Sequence, residues 1–140
     1  MENIKYAVAI VLTAGLTSCG TAYDCSNSDV HETLTHAVLD KISELQQNTG
    51  FMNATAAQYA RAKELVSDIK IVDIQTISSN DDHTRYQCSA KYKLDDQTVA
   101  VDYNVNSLEN SESPFEIEYD NSAAQSMTGI VMGSARAQAQ

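Results

Sequence analysis

The chain is predicted to form an α+β domain in which a leading helix, with a second behind it, packs on a four-stranded antiparallel meander. Three observations predict this. Apolar residues first recur at helical spacing, then near residue 70 the period drops to two. Asp95-Asp96-Gln97 is a connection of hairpin length, so strands adjacent in sequence pair with each other. An amphipathic helix and a one-faced sheet each leave an apolar side that only the other covers.

The first helix is expected over 29–47. Ser28 suits the N-cap, and Asp29 and Glu32 suit the first turn, where backbone N–H groups favour negative charge. Val30, Leu34, Ala37, Val38, Ile42 and Leu45 make one apolar stripe, and Asn48-Thr49-Gly50 ends it. A weaker helix over 55–68 uses Tyr59, Ala60, Leu65 and Val66. A strand over 70–78 would face Val72, Ile74 and Thr76 inward, although Ile71 and Ile77 break its alternation. In 84–94, Thr84, Tyr86, Cys88, Ala90, Tyr92 and Leu94 alternate with polar residues. Val99, Val101, Tyr103 and Val105 do the same in 98–106, and Phe115, Ile117 and Tyr119 alternate with Glu116 and Glu118. Lys91 and Lys93 are expected to meet Asp102 across the hairpin, worth a few tenths of a kcal/mol. A polar loop is expected over 107–113. The stretch 121–140 is rich in Ala, Ser and Gln with few charges, and Gly129 and Gly133 speak against a long element. It is expected to be a disordered tail, with a short apolar contact at 128–132.

The 19 acidic residues outnumber the 9 basic ones, for a net charge of −10. No Lys or Arg stands between Leu94 and Arg136, while Asp95, Asp96, Asp102, Glu109, Glu112, Glu116, Glu118 and Asp120 do. A nucleic-acid binder needs basic surface to neutralise phosphates, so nucleic acid is not an expected partner. An acidic face formed by Asp102, Glu116 and Glu118 is a candidate surface for a basic partner or for weak cation binding. The plainer reading is a solvated face that keeps the domain soluble.

At the N-terminus, Lys5 and the free amine make a weak positive region offset by Glu2, and 7–16 is an apolar run. Leu16-Thr17-Ser18-Cys19 follows. This box resembles the lipobox of bacterial lipoproteins. The resemblance implies cleavage between Ser18 and Cys19, acylation of the Cys19 thiol with palmitate-type chains, and attachment to the lipid bilayer. Two or more chains hold a protein stably, whereas one binds marginally. Gly20 after the cysteine implies, by resemblance to lipoprotein sorting, the periplasmic side of the outer membrane. Ordinary cleavage after Ala22 and an uncleaved anchor are the alternatives, the latter disfavoured by the polar residues from Thr13 to Thr21. The expected organisation is a signal peptide at 1–18, a lipidated tether at 19–27, one domain at 28–120 and the tail at 121–140. Removal of the signal leaves about 122 residues, enough for one modest core.

With Cys19 assigned to lipid, Cys25 and Cys88 remain, and an even count in an exported domain reads as a disulfide. A free thiol and a metal ligand are the other readings, without a Cys-x-x-Cys or a nearby His pair to support them. The pairing would staple the start of the first helix to a strand.

The order of elements resembles the cystatin-like and NTF2-like architectures, in which a sheet wraps a leading helix. In that layout Tyr86, Tyr92, Tyr103 and Tyr119 either pack the core or line a pocket in a concave sheet. His31 and His36 are five residues apart, about 140° around a helix, so they share no face. His83 stands beside Asp81 and Asp82 without an EF-hand pattern. All three histidines read as surface residues. No Gly-x-Ser-x-Gly and no phosphate loop is present. The expectation is therefore a non-catalytic, membrane-anchored periplasmic protein that binds another envelope protein, without metal or cofactor. A small-ligand binder using the tyrosines is the alternative, and an enzyme of the cone-shaped fold class is a third.

Overall fold

The computed structural model describes residues 23–48, 54–108 and 112–138. Its elements are α1 (Ser28–Gln47), α2 (Ala56–Val66), β1 (Lys70–Ser79), β2 (Arg85–Leu94), β3 (Gln97–Ser107), β4 (Phe115–Tyr119) and α3 (Asn121–Gln138). The four strands form one antiparallel sheet in the order β1-β2-β3-β4. This is the predicted α+β layout, with one helix more than the sequence reading gave.

The cap of α1 is Asn27 rather than Ser28. The Asn27 side chain accepts from the Asp29 N–H at 2.8 Å, so the helix starts one residue earlier than expected. Val30, Leu34, Ala37, Val38 and Ile42 are buried, as their spacing requires. Thr55 caps α2 through a reciprocal box with Gln58, at 3.1 and 2.9 Å. In α2 the buried residues are Tyr59, Ala62, Leu65 and Val66; Ala60 faces water.

Strand β1 has no single face. Ile71 lies opposite Tyr92 on the core side, and an irregularity between Val72 and Gln75 re-phases the strand so that Ile74 also packs inward. Asp73 inside it takes a φ of 53°, a left-handed geometry that short polar side chains tolerate. A second irregularity follows Thr76, and Ile77 is left 55% exposed. From β2 onward the alternation is regular. Cys88, Ala90, Tyr92, Leu94, Val101, Tyr103 and Val105 are buried, and Val99, Phe115 and Ile117 are half-buried against them.

The largest correction is at the C-terminus. The segment expected to be a disordered tail is an 18-residue helix whose Ala123, Ala124, Met127, Thr128, Val131, Met132 and Ala135 are buried. These positions form an apolar stripe at helical spacing. Low charge and two glycines outweighed that signal in the sequence reading, yet both glycines lie on the exposed side. Thr128 is tolerated in the core because its hydroxyl donates to the Ala124 carbonyl at 2.7 Å. Helix α3 packs on α1, α2 and β3. The domain therefore runs through Gln138 rather than ending at residue 120. With α1 and α3 against one face of the sheet, no element among the described residues covers the other face.

Candidate functional site

The inner face is closed by covalent and polar links as well as packing. Cys25 and Cys88 form a disulfide with Cα atoms 5.6 Å apart, fixing the start of α1 to β2. Directly beside it, the Tyr103 hydroxyl donates to the Cys25 carbonyl at 2.7 Å. The His31 Nε2 lies 2.8 Å from the same carbonyl, which can only accept, so that nitrogen carries the proton. Tyr92, fully buried, donates its hydroxyl to the Leu34 carbonyl at 2.8 Å. Burial, and secondarily the Asp24 carboxylate, pushes the Tyr103 phenol up to about 12. Burial raises Tyr92 further, with Tyr119 a smaller cause. Both are neutral structural phenols.

The four candidate pocket tyrosines are therefore split. Tyr92 and Tyr103 are core residues with engaged hydroxyls. Tyr86 is half-buried, its ring 6.5 Å from that of His83 at the β1–β2 turn. Tyr119 is 37% exposed on β4 and faces α1. That turn is built by Asn80, whose side-chain oxygen accepts from the Thr84 and Arg85 N–H groups. It is a turn-forming arrangement, with Asp81, Asp82 and His83 exposed.

The three acidic candidates do share a surface. Asp102 lies opposite Ser89, Glu118 opposite Asn104 and Glu116 opposite Asn106, so all three project from the uncovered face of the sheet. The expected pairing of Lys91 with Asp102 does not form. Lys91 instead reaches Asp73 on β1 at 3.2 Å, because the irregularity there swings that carboxylate toward it. A polar groove of about 640 Å³ crosses this face, lined by Ser78, Arg85, Gln87, Asn104, Glu116 and Glu118 among others. Ser78 donates to the Gln87 side chain at 3.1 Å. Arg85 is the one cation among the described residues lining it.

A second concavity, of about 440 Å³, lies where α1 meets β4. Ala37, Phe115 and Tyr119 line it, and Asp29, Glu32 and Asp40 form its acidic wall. His36 Nδ1 is 3.4 Å from Asp40 Oδ1 along that wall. Tyr23 stacks on Phe115 with ring centroids 4.6 Å apart, so Tyr23, inside the stretch 19–27 expected as a tether, is docked on β4. The sequence reading missed this groove. Its signal was present in the helical spacing of Asp29, Glu32, His36 and Asp40, but only the position of β4 makes that row a wall.

The lipobox, including Ser18 and Cys19, lies outside the described residues. Among the described residues, no group of three His, Cys, Asp or Glu side chains is placed to hold a metal ion, and no helix is long and apolar enough to cross a membrane. No protein family, no curated protein and no solved structure matches the chain.

Proposed function

We propose that this chain is a non-catalytic, lipid-anchored protein of the bacterial envelope that binds another envelope protein. The observation that carries the reading is the joint exposure of Asp102, Glu116 and Glu118 on a sheet face that no element among the described residues covers. Tyr92 and Tyr103, two of the four tyrosines that a small-ligand pocket would use, are engaged in the core on the opposite face, which favours a surface function over an enclosed cavity. Attachment through Cys19 complements this. Four residues from Cys19 to the docked Tyr23 reach at most about 14 Å, so β4 and its acidic face would lie close to the bilayer. A partner presenting basic side chains at that height suits the surface.

Two measurements test the proposal. Intact-mass spectrometry of the membrane fraction should give a chain beginning at Cys19 with acyl chains added. A full-length mass would remove the anchor. Crosslinking in intact envelopes should capture a partner with the native chain and lose it when Asp102, Glu116 and Glu118 are together changed to Lys. Equal capture by the charge-reversed chain would overturn the binding role of this face.

A further inference from the structure

The two edges of the sheet, β1 and β4, pair with no further strand among the described residues, and they differ. At β1, two irregularities and a left-handed Asp73 bend the edge away from regular pairing, the usual protection of an exposed strand. Strand β4 is regular. Its register with β3, continued by Leu108 N–H to Pro114 at 2.9 Å and Asp120 N–H to Asp102 at 3.2 Å, puts the backbone groups of Glu116 and Glu118 on β3. The backbone groups of Phe115, Ile117 and Tyr119 therefore point outward. The Ser113 hydroxyl takes the Phe115 carbonyl at 2.8 Å. The N–H and C=O of Ile117 and the N–H of Tyr119 have no hydrogen-bond partner among the described residues.

We infer that the β4 edge receives, as a fifth strand, an extended partner segment in which basic and apolar side chains alternate. A strand laid there presents alternate side chains to the sheet's two faces. On the uncovered face its side chains meet Glu116 and Glu118. On the helix side they enter the groove floored by Ala37, Phe115 and Tyr119 and walled by Asp29, Glu32 and Asp40. Charge complementarity thus asks for Lys or Arg on the outer face. On the inner face the floor asks for apolar groups. It also disfavours a second copy of this chain, because pairing two β4 edges sets their glutamates against each other. The inference rests on the binding role proposed above and names the chemistry of the partner.

The test uses the full chain in detergent with a synthetic peptide of alternating lysine and valine, and a glutamate–valine peptide as control. Hydrogen exchange should show the Ile117 and Tyr119 amides gaining protection with the lysine peptide alone. Binding should weaken tenfold or more in Glu116→Lys/Glu118→Lys and with increasing salt. Ile117→Pro removes an outward N–H that β3 does not use, so the variant should stay folded by circular dichroism yet lose the peptide. A second variant, Ile117 kept and Tyr119→Pro, covers the case in which the first does not fold. Equal binding of the two peptides, protection elsewhere, or protection of Ile117 that needs only a second copy or the chain's own N-terminal segment would each overturn the inference. The envelope crosslinking experiment separates the two claims: a partner captured through Asp102, Glu116 and Glu118 without protection of Ile117 leaves the binding role standing and removes the edge.

Discussion

The two faces of the sheet use the same strands for opposite ends. On the inner face, Cys88, Ala90, Tyr92, Leu94, Val101, Tyr103 and Val105 are all at most 2% exposed, joined by a disulfide and two buried hydroxyl bonds. On the outer face, Gln87, Lys91, Lys93, Asp102, Asn104, Glu116 and Glu118 are exposed. The inner face holds the fold together. On the outer face no ion pair among the described residues engages Asp102, Glu116 or Glu118, and under the proposed function that unpaired charge is what a binding surface has to offer. The contrast predicts large stability effects from inner substitutions and small ones from outer substitutions.

The largest effect should come from the staple. The Cys25–Cys88 bond closes a separation of 63 residues, for which loop-closure entropy gives about 4 kcal/mol. That is a large share of the roughly 5–15 kcal/mol available to a domain. Cys25→Ser/Cys88→Ser, measured by urea unfolding, should lose most of that amount. A loss under about 1 kcal/mol would mean that packing around Tyr92 and Tyr103 fixes α1 to the sheet unaided.

The buried hydroxyls come next. Tyr92→Phe and Tyr103→Phe should each cost about 1 kcal/mol, since each deletes one internal hydrogen bond at constant shape. The Cys25 carbonyl keeps its His31 donor, so Tyr103→Phe should be the milder of the two. Both phenols titrate higher folded than unfolded. The folded chain therefore keeps protons that the unfolded chain releases, and stability falls as pH rises from 10 towards about 12. Below pH 10 these groups add no pH dependence. Asp120 has the opposite sign: the Ser122 hydroxyl, and then its N–H, hold the carboxylate below its ordinary value, so its contribution is lost as pH falls through the acid range. Thermal melts in the Tyr92→Phe/Tyr103→Phe variant should lose the alkaline decline; its persistence would assign that decline to other groups.

How much of this was legible depended on how local the cause was. The α1 stripe and the β2–β3 alternation are set by residues within one element, and both could be read directly. Strand β1 could not, because its irregularities change which face Ile74 takes and only pairing with β2 reveals them. Helix α3 was legible in principle: Ala124, Met127, Val131 and Ala135 carry the period, but exposed Gly129 and Gly133 masked it. The acidic side chains of Asp102, Glu116 and Glu118 follow from strand parity alone. The α1–β4 groove joins residues about 80 apart in the chain, and no local pattern announces it.

Those glycines supply a sharper test of α3. A Cβ built at either position meets no atom within 4 Å, so alanine fits without displacement. Glycine inside a helix costs roughly 0.5–1 kcal/mol relative to alanine, so Gly129→Ala and Gly133→Ala should each stabilise the domain by that amount. Destabilisation would mean that α3 does not hold its helical geometry in solution.

The smallest effects belong to the uncovered face. Glu116→Gln and Glu118→Gln remove charge from exposed side chains whose neighbours across the strand, Asn106 and Asn104, are uncharged. No ion pair in the described residues involves either glutamate, so stability should move by less than about 0.5 kcal/mol. Under the proposed binding role, partner capture should nevertheless fall, because the same substitutions remove charge from the proposed partner surface. If the outer face serves binding as proposed while the inner face holds the fold, the two sets of variants must show this separation. If Glu118→Gln cost as much as Tyr92→Phe, the outer face would be part of the fold's support, and its acidity would no longer point to a partner.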